Sequence, residues 1–186
     1  MNDRIEWFGE PGNDPVDIVD YDPRWPETFA AFATRLREAL GPVALRIVHV
    51  GSTAVPGLAA KPTIDIQVSV ADVADENEYR LAIEALGWPL RVREPHHRFF
   101  RPAATEDRTV HVHVCSAGSK WEHDHLLLVA YLSQHPVRAD EYATLKRELA
   151  SRFGDNRLAY TDAKDGFIAH TLEMAEHWAG ETGWQP

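Results

Sequence analysis

Between Leu45 and Val70 the chain reads LRIVHVGSTAVPGLAAKPTIDIQVSV, which sets a Gly-Ser-Thr turn shortly before a lone acid, Asp65, among Ile64, Ile66 and Val68. These residue types suit the handling of an anion and a cation side by side. Gly51 lets the backbone turn sharply or approach a ligand closely, and Ser52 and Thr53 can cap a following helical turn. Exposed N–H groups there, with the Ser52 hydroxyl, make a phosphate cradle. Strand alternation puts Ile64, Ile66, Val68 and Val70 on one face and Asp65, Gln67 and Ser69 on the other. An isolated acid beside such a cradle is a place for a divalent cation. Its alternative is a structural partner such as Lys61 or Arg98, because an acid in a buried strand must be paired or coordinate something.

A second chemical stretch is TVHVHVC, Thr109 to Cys115. Val110, Val112 and Val114 fall on one face and His111, His113 and Cys115 on the other. If this strand lies beside the Asp65 strand, two imidazoles and a carboxylate share one surface. The same histidines also fit the polar side of a half-exposed strand. His49 is read as a hydrogen-bonding core histidine, and His96, His97, His123, His125 and His135 are assigned to no metal.

The elements around these stretches are legible from periodicity. Residues 1–16 are rich in Gly, Pro, Asn and Asp and read as a loose arm, and residues 17–180 read as one domain. Asp22 as N-cap and Pro23 open a helix carrying Trp25, Phe29, Phe32, Leu36 and Leu40. Asp75 to Leu86 reads as a second helix, and Trp88 to Val92 and His97 to Arg101 as short strands. Ser119 and Glu122 read as a capping box for a helix to about Gln134. Pro136 opens a further helix to Gly154, and Thr161 opens the last.

Several of these runs are shared with a known family. HVGSTAVPGLAAKPTIDI (His49 to Ile66), YDPRWP from Tyr21, RFFR (Arg98 to Arg101), HVHV (His111 to Val114), YLSQHP (Tyr131 to Pro136) and EYATLKRELA (Glu141 to Ala150) resemble the GrpB family. The likeness covers nearly the whole chain from about Asp17. It implies an α+β, nucleotidyltransferase-like fold: a mixed β-sheet with helices packed on one side and a helical C-terminal part. Similar nucleotidyltransferases carry a Gly-Ser turn, then an Asp-x-Asp or Asp-x-Glu pair, then a third acid on a later strand, which together hold two magnesium ions. Here Gly51, Ser52 and Asp65 match, Gln67 stands in the second acid's place and His113 in the third's.

That departure changes the expected chemistry. Magnesium prefers oxygen ligands, whereas imidazole suits zinc and manganese, so Asp65, His111 and His113 form a softer, less charged candidate site for Mg, Mn or Zn. Either one metal of another kind serves the reaction, or the chain binds a nucleotide without transferring it. The first reading is transfer of a nucleoside monophosphate from a triphosphate to a small acceptor, with Asp65 catalytic. Gly51, Ser52, Thr53, Lys61, Arg98 and Lys164 are the candidate nucleotide- or phosphate-binding residues. The second is a non-catalytic accessory module, an idea supported by GrpB-like domains joined to dephospho-coenzyme A kinase. A zinc hydrolase on His111 and His113 is weaker, since two-histidine phosphoesterases need two separated motifs.

Composition bounds the partners. With 186 residues and 44% apolar content, one substantial core is expected. A formal charge of −10 disfavours general binding to nucleic acid or anionic membranes, so a phosphate site must be a local basic pocket. Cys115 is the single cysteine and no long apolar span or signal-like segment is seen; a cytoplasmic protein is the expectation. Aromatic residues in the first 25 positions hint at homo-oligomerisation.

Overall fold

The structure is a computed structural model that describes residues 5–9, 15–103 and 109–186. In chain order the elements are β1 (Glu6–Trp7), α1 (Trp25–Leu40), β2 (Arg46–Val50), β3 (Ile64–Val70), α2 (Arg80–Ala85), β4 (Leu90–Glu94) and β5 (His97–Phe100). They continue with β6 (Val110–Ser116), α3 (Lys120–Gln134), α4 (Pro136–Phe153), α5 (Arg157–Asp162) and α6 (Asp165–Thr182). One six-stranded sheet runs β1-β4-β5-β6-β3-β2. The β3–β6 pair is parallel and the others are antiparallel, which makes the α+β, mixed-sheet architecture that the family resemblance implies.

Alternation decides what each face of that sheet does. Ile64, Ile66, Val68, Val110, Val112, Val114 and Phe100 are buried together with Leu36, Tyr79 and Ile83, so α1 and α2 cover one face with the main core. Burying each such side chain contributes about 1.5–3 kcal/mol. The opposite face carries the polar set of β3 and β6. There α3 is fastened by Ser69 Oγ, which donates to Glu122 Oε1 over 2.5 Å, and by Trp121, stacked on His113 at 5.6 Å. The helical C-terminal part closes around this second face through two smaller cores, Leu58 with Leu132 and Tyr142, and Leu127 with Ala175.

Several local expectations shift by a turn. Asp22 is not the cap of α1: Pro23 and Arg24 form a turn, Arg24 is the N-cap, and Asp22 instead accepts from the Arg24 backbone N–H at 2.9 Å. The second helix shrinks to Arg80–Ala85 behind a 3-10 turn at Glu76–Glu78. Ser119 Oγ caps α3 by accepting from Glu122 N at 3.2 Å, but Glu122 returns its carboxylate to Gly118 N rather than to Ser119. Of the stretch read as an arm, residues 1–4 and 10–14 lie outside the described residues. Glu6 and Trp7 pair with Arg93 and Val92 at the sheet edge, and Val16 is buried. Among the described residues no helix is long and apolar enough to cross a membrane.

Candidate functional site

Strand register brings the polar residues together. Asp65 sits opposite Val50 on β2 and beside His111 on β6, and Gln67 sits beside His113. On the next strand Phe99 is level with His113, and Val92 of β4 and Trp7 of β1 continue that row outward. The row forms the floor of a pocket of about 410 Å³, walled on the other side by Lys146 of α4, Arg157 and Tyr160 of α5, and Lys164 at the start of α6.

Gly51 is where backbone geometry and site meet. Its φ of 72° and ψ of −171° belong to a region that only glycine occupies readily. A Cβ there would also overlap the Asp65 carboxylate. The turn that follows, Ser52–Ala54, puts Ser52 and Thr53 in the pocket wall. Thr53 is buried, with its hydroxyl 2.9 Å from His49 Nε2 and donating to Thr63 O at 3.3 Å. Through these contacts it braces the turn, and the half-buried His49 stacks on Phe29.

Asp65 Oδ1 lies 2.9 Å from His111 Nδ1 and 3.5 Å from His113 Nε2. Burial works against the Asp65 charge, but the His111 and His113 imidazoles beside it outweigh burial and hold the carboxyl well below its usual range. His111 is pushed down to about 4, by burial first and against the pull of Asp65, so it is a neutral ring donating Nδ1–H to a carboxylate. Its Nε2 accepts from Arg157 Nη2 over 3.4 Å. The donor atoms of Asp65, His111 and His113 lie within 4.8 Å of one another. One carboxylate oxygen with imidazole nitrogen fits a single zinc or manganese ion, and among the described residues this cluster holds one carboxylate, Asp65. Gln67 is fully buried, is not in the pocket lining, and neither end of its amide has a hydrogen-bond partner among the described residues.

The remaining sequence candidates divide. Lys61 and Lys164 line the pocket. Arg98 does not: its guanidinium donates to Glu76 Oε1 at 2.5 Å and to His97 O at 3.0 Å, on the far side of β5. Three groups that sequence reasoning passed over enter the site. Lys146 is buried, donates to Ala59 O, and is pushed down to about 7 by burial, by Lys164 and by Arg147. Arg157 meets His111, and His97 backs His113 with its Nε2 2.9 Å from His113 Nδ1. The signal for Lys146 was present, since it lies one turn after Tyr142 on the inward stripe of its helix. Arg157 and His97 gave none, because their neighbours in space are remote in sequence.

Comparisons with known proteins agree with this architecture. The GrpB protein family profile matches residues 15–174. A UPF0157 protein of Streptomyces coelicolor is 41% identical over 164 residues, covering 88% of this chain and 86% of its own. A dephospho-CoA kinase of Mycolicibacterium paratuberculosis is 31% identical over 92% of this chain, which spans 49% of that protein. The crystal structure of the conserved protein GrpB from Enterococcus faecalis superposes with a TM-score of 0.77 at 32% identity, covering 87% of this chain and 99% of that one. The Cid1 poly(U) polymerase, in its MgGTP-bound structure, shares the fold with a TM-score of 0.51 at 20% identity, over 73% of this chain and 45% of that one. With the matched profile spanning most of its length and a nucleotidyltransferase-like sheet beneath the pocket, the chain belongs to the GrpB family.

Proposed function

We propose that the pocket binds a nucleoside triphosphate and transfers its nucleoside monophosphate to a small hydroxylated or phosphorylated acceptor with the help of one divalent metal. The observation that carries this reading is the placement of Lys61, Lys146, Arg157 and Lys164 around one floor carboxylate, Asp65, in a chain of net charge −10. Such a wall gathers phosphate charge that the rest of the surface repels. The likeness to Cid1 supports the fold only, since a fold hosts many activities.

Each residue then has a task. Ser52 and Lys61 hold the triphosphate beside the turn at Gly51. Asp65 and His113 hold the metal, which when bound neutralises phosphate charge and favours the ionised acceptor hydroxyl. Lys146 and Lys164 neutralise the leaving pyrophosphate, while Phe99 and Tyr160 give the pocket aromatic surface for a base. The acceptor oxygen attacks the α-phosphorus in line, and the bond to the bridging oxygen breaks. Transfer from an α-labelled nucleoside triphosphate, screened with Mn, Mg and Zn, is expected in the intact chain and lost in Asp65→Asn. Absence of transfer across nucleotides and metals sinks the catalytic reading.

A second reading is favoured by Gln67, whose amide is buried outside the pocket where a second metal-binding acid would serve the reaction. In it the chain is a non-catalytic module that binds a nucleotide or another phosphorylated small molecule, and the dephospho-CoA kinase relatives suggest a role near nucleotide-containing cofactors. Thermal shifts separate the two. Stabilisation by nucleotide that persists with a chelator, without turnover, supports the module.

A further inference from the structure

The protons on the site's imidazoles are set by what stands behind each ring. Glu94 Oε2 lies 2.9 Å from His97 Nδ1, and a carboxylate only accepts, so Nδ1 carries the His97 proton. His97 is buried, with the Trp121 ring stacked on it at 4.5 Å, where the neutral ring is favoured and its Nε2 is a bare acceptor. That atom lies 2.9 Å from His113 Nδ1, which therefore donates. That donation leaves Nε2 as the nitrogen His113 can offer a metal, and it faces Asp65 Oδ1 at 3.5 Å. A carboxylate oxygen and an imidazole nitrogen so placed can share a cation, whether a proton or a metal ion.

His111 is held the opposite way. Arg157 can only donate, so His111 Nε2 accepts from it at 3.4 Å and Nδ1–H points at Asp65 Oδ1 over 2.9 Å. As a ligand, this ring would have to move its proton to the nitrogen that faces a guanidinium. Coulomb repulsion and the loss of one hydrogen bond oppose that move.

We propose that Glu94 and His97 are a positioning pair which locks His113 as its Nδ1–H tautomer, so that His113 Nε2 and Asp65 clamp one divalent metal while His111 serves Asp65 as a hydrogen-bond donor rather than the metal as a ligand. The inference rests on the metal reading above and refines it. Carboxylate and histidine groups placed behind a ligand histidine raise its basicity and fix its orientation. Glu94 and His97 lie at the pocket beside His113, and their effect on the metal is exerted through that ring.

Two measurements on the full chain test it. Long-range ¹H–¹⁵N spectra of the metal-free protein report the protonated nitrogen of each ring. They are expected to show Nδ1–H at His113 in the wild type and a mixture of tautomers in Glu94→Ala. Calorimetric titration with zinc alone is expected to show affinity about 10–100-fold weaker in His97→Phe and in Glu94→Ala. His97→Gln, whose amide oxygen can accept from His113, should recover most of the loss. Glu94 is half-exposed, so its variant keeps the test open should His97→Phe not fold. A wild-type His113 protonated on Nε2 and not on Nδ1, or equal zinc binding by wild type and His97→Phe, overturns the proposal. Zinc binding that survives His113→Ala belongs elsewhere, for instance to His123, Asp124 and Glu176, and overturns it too. A wild-type chain that binds neither zinc nor manganese yet shows the expected tautomer overturns the metal reading and leaves the tautomer lock standing.

Discussion

The two faces of β3 and β6 are made of alternate residues in the same strands, yet they obey different rules. On one, Ile66, Val68, Val112 and Val114 are fully buried under α1 and α2 in one apolar cluster. On the other, Asp65, His111 and His113 pair with one another and with groups brought from β5 and α5. Desolvation stabilises the first face and is an expense on the second, where it is offset by hydrogen bonds and used to tune protonation. A strand can therefore carry stability and chemistry at once, provided the register does not slip, because a shift of one residue exchanges the faces.

If the division of labour is real, variants on the two faces must fail differently. The largest loss of stability is expected for Phe100→Ala, which empties a fully buried site on the apolar face and costs about 3–5 kcal/mol. Denaturant unfolding measures it, and metal affinity at temperatures where the variant is folded should stay near the wild-type value. Asp65→Asn should do the reverse, weakening zinc affinity and turnover by more than about a hundredfold while moving the unfolding midpoint far less. A variant on either face that loses both properties equally would dissolve the distinction.

Gly51→Ala is the intermediate case, because Gly51 belongs to both. Its backbone conformation and the overlap of a Cβ with Asp65 predict a cost of about 1–3 kcal/mol together with weaker metal binding, read by thermal unfolding and calorimetry on one sample. The last case depends on pH and concerns Lys146, whose pKa near 7 in the folded chain compares with about 10.4 unfolded. Between those values the unfolded chain holds more protons, so this residue makes stability rise with pH from about 7 and destabilises most below it. Lys146→Met should flatten that rise and raise the melting temperature at pH 7. Unchanged pH dependence would mean that Lys146 is not held in a costly state. Phosphate should narrow the gap between the two proteins by favouring charged Lys146.

Much of the fold could be read from pattern alone. The alternation of IDIQVSV and VHVHVCS marked two strands and chose their faces, and the shared run from His49 to Ile66 pointed to the family. Helix starts were less legible at Asp22, because Pro23 and Arg24 form a turn that delays α1. The basic lining of the pocket was legible in part: Lys61 and Lys164 belong to it, whereas Arg98 lies behind β5 with Glu76. Lys146 falls on the inward stripe one turn after Tyr142, although a lysine at such a position ordinarily carries its amine out to solvent. Here its stem is buried and its amine is turned onto Ala59 O.

By itself the sequence determined which residues share a strand face, where the glycine turn falls, and that a neutral Gln67 stands two residues after Asp65. Those are local matters of backbone period and residue type. Only the tertiary structure decided that β3 and β6 are parallel neighbours in the register that sets Asp65 beside His111, that Gln67 is closed off from the pocket, and that Glu94 and His97 stand behind His113. Strand pairing and the protonation of a buried ring depend on partners far apart along the chain, and no local pattern records who those partners are.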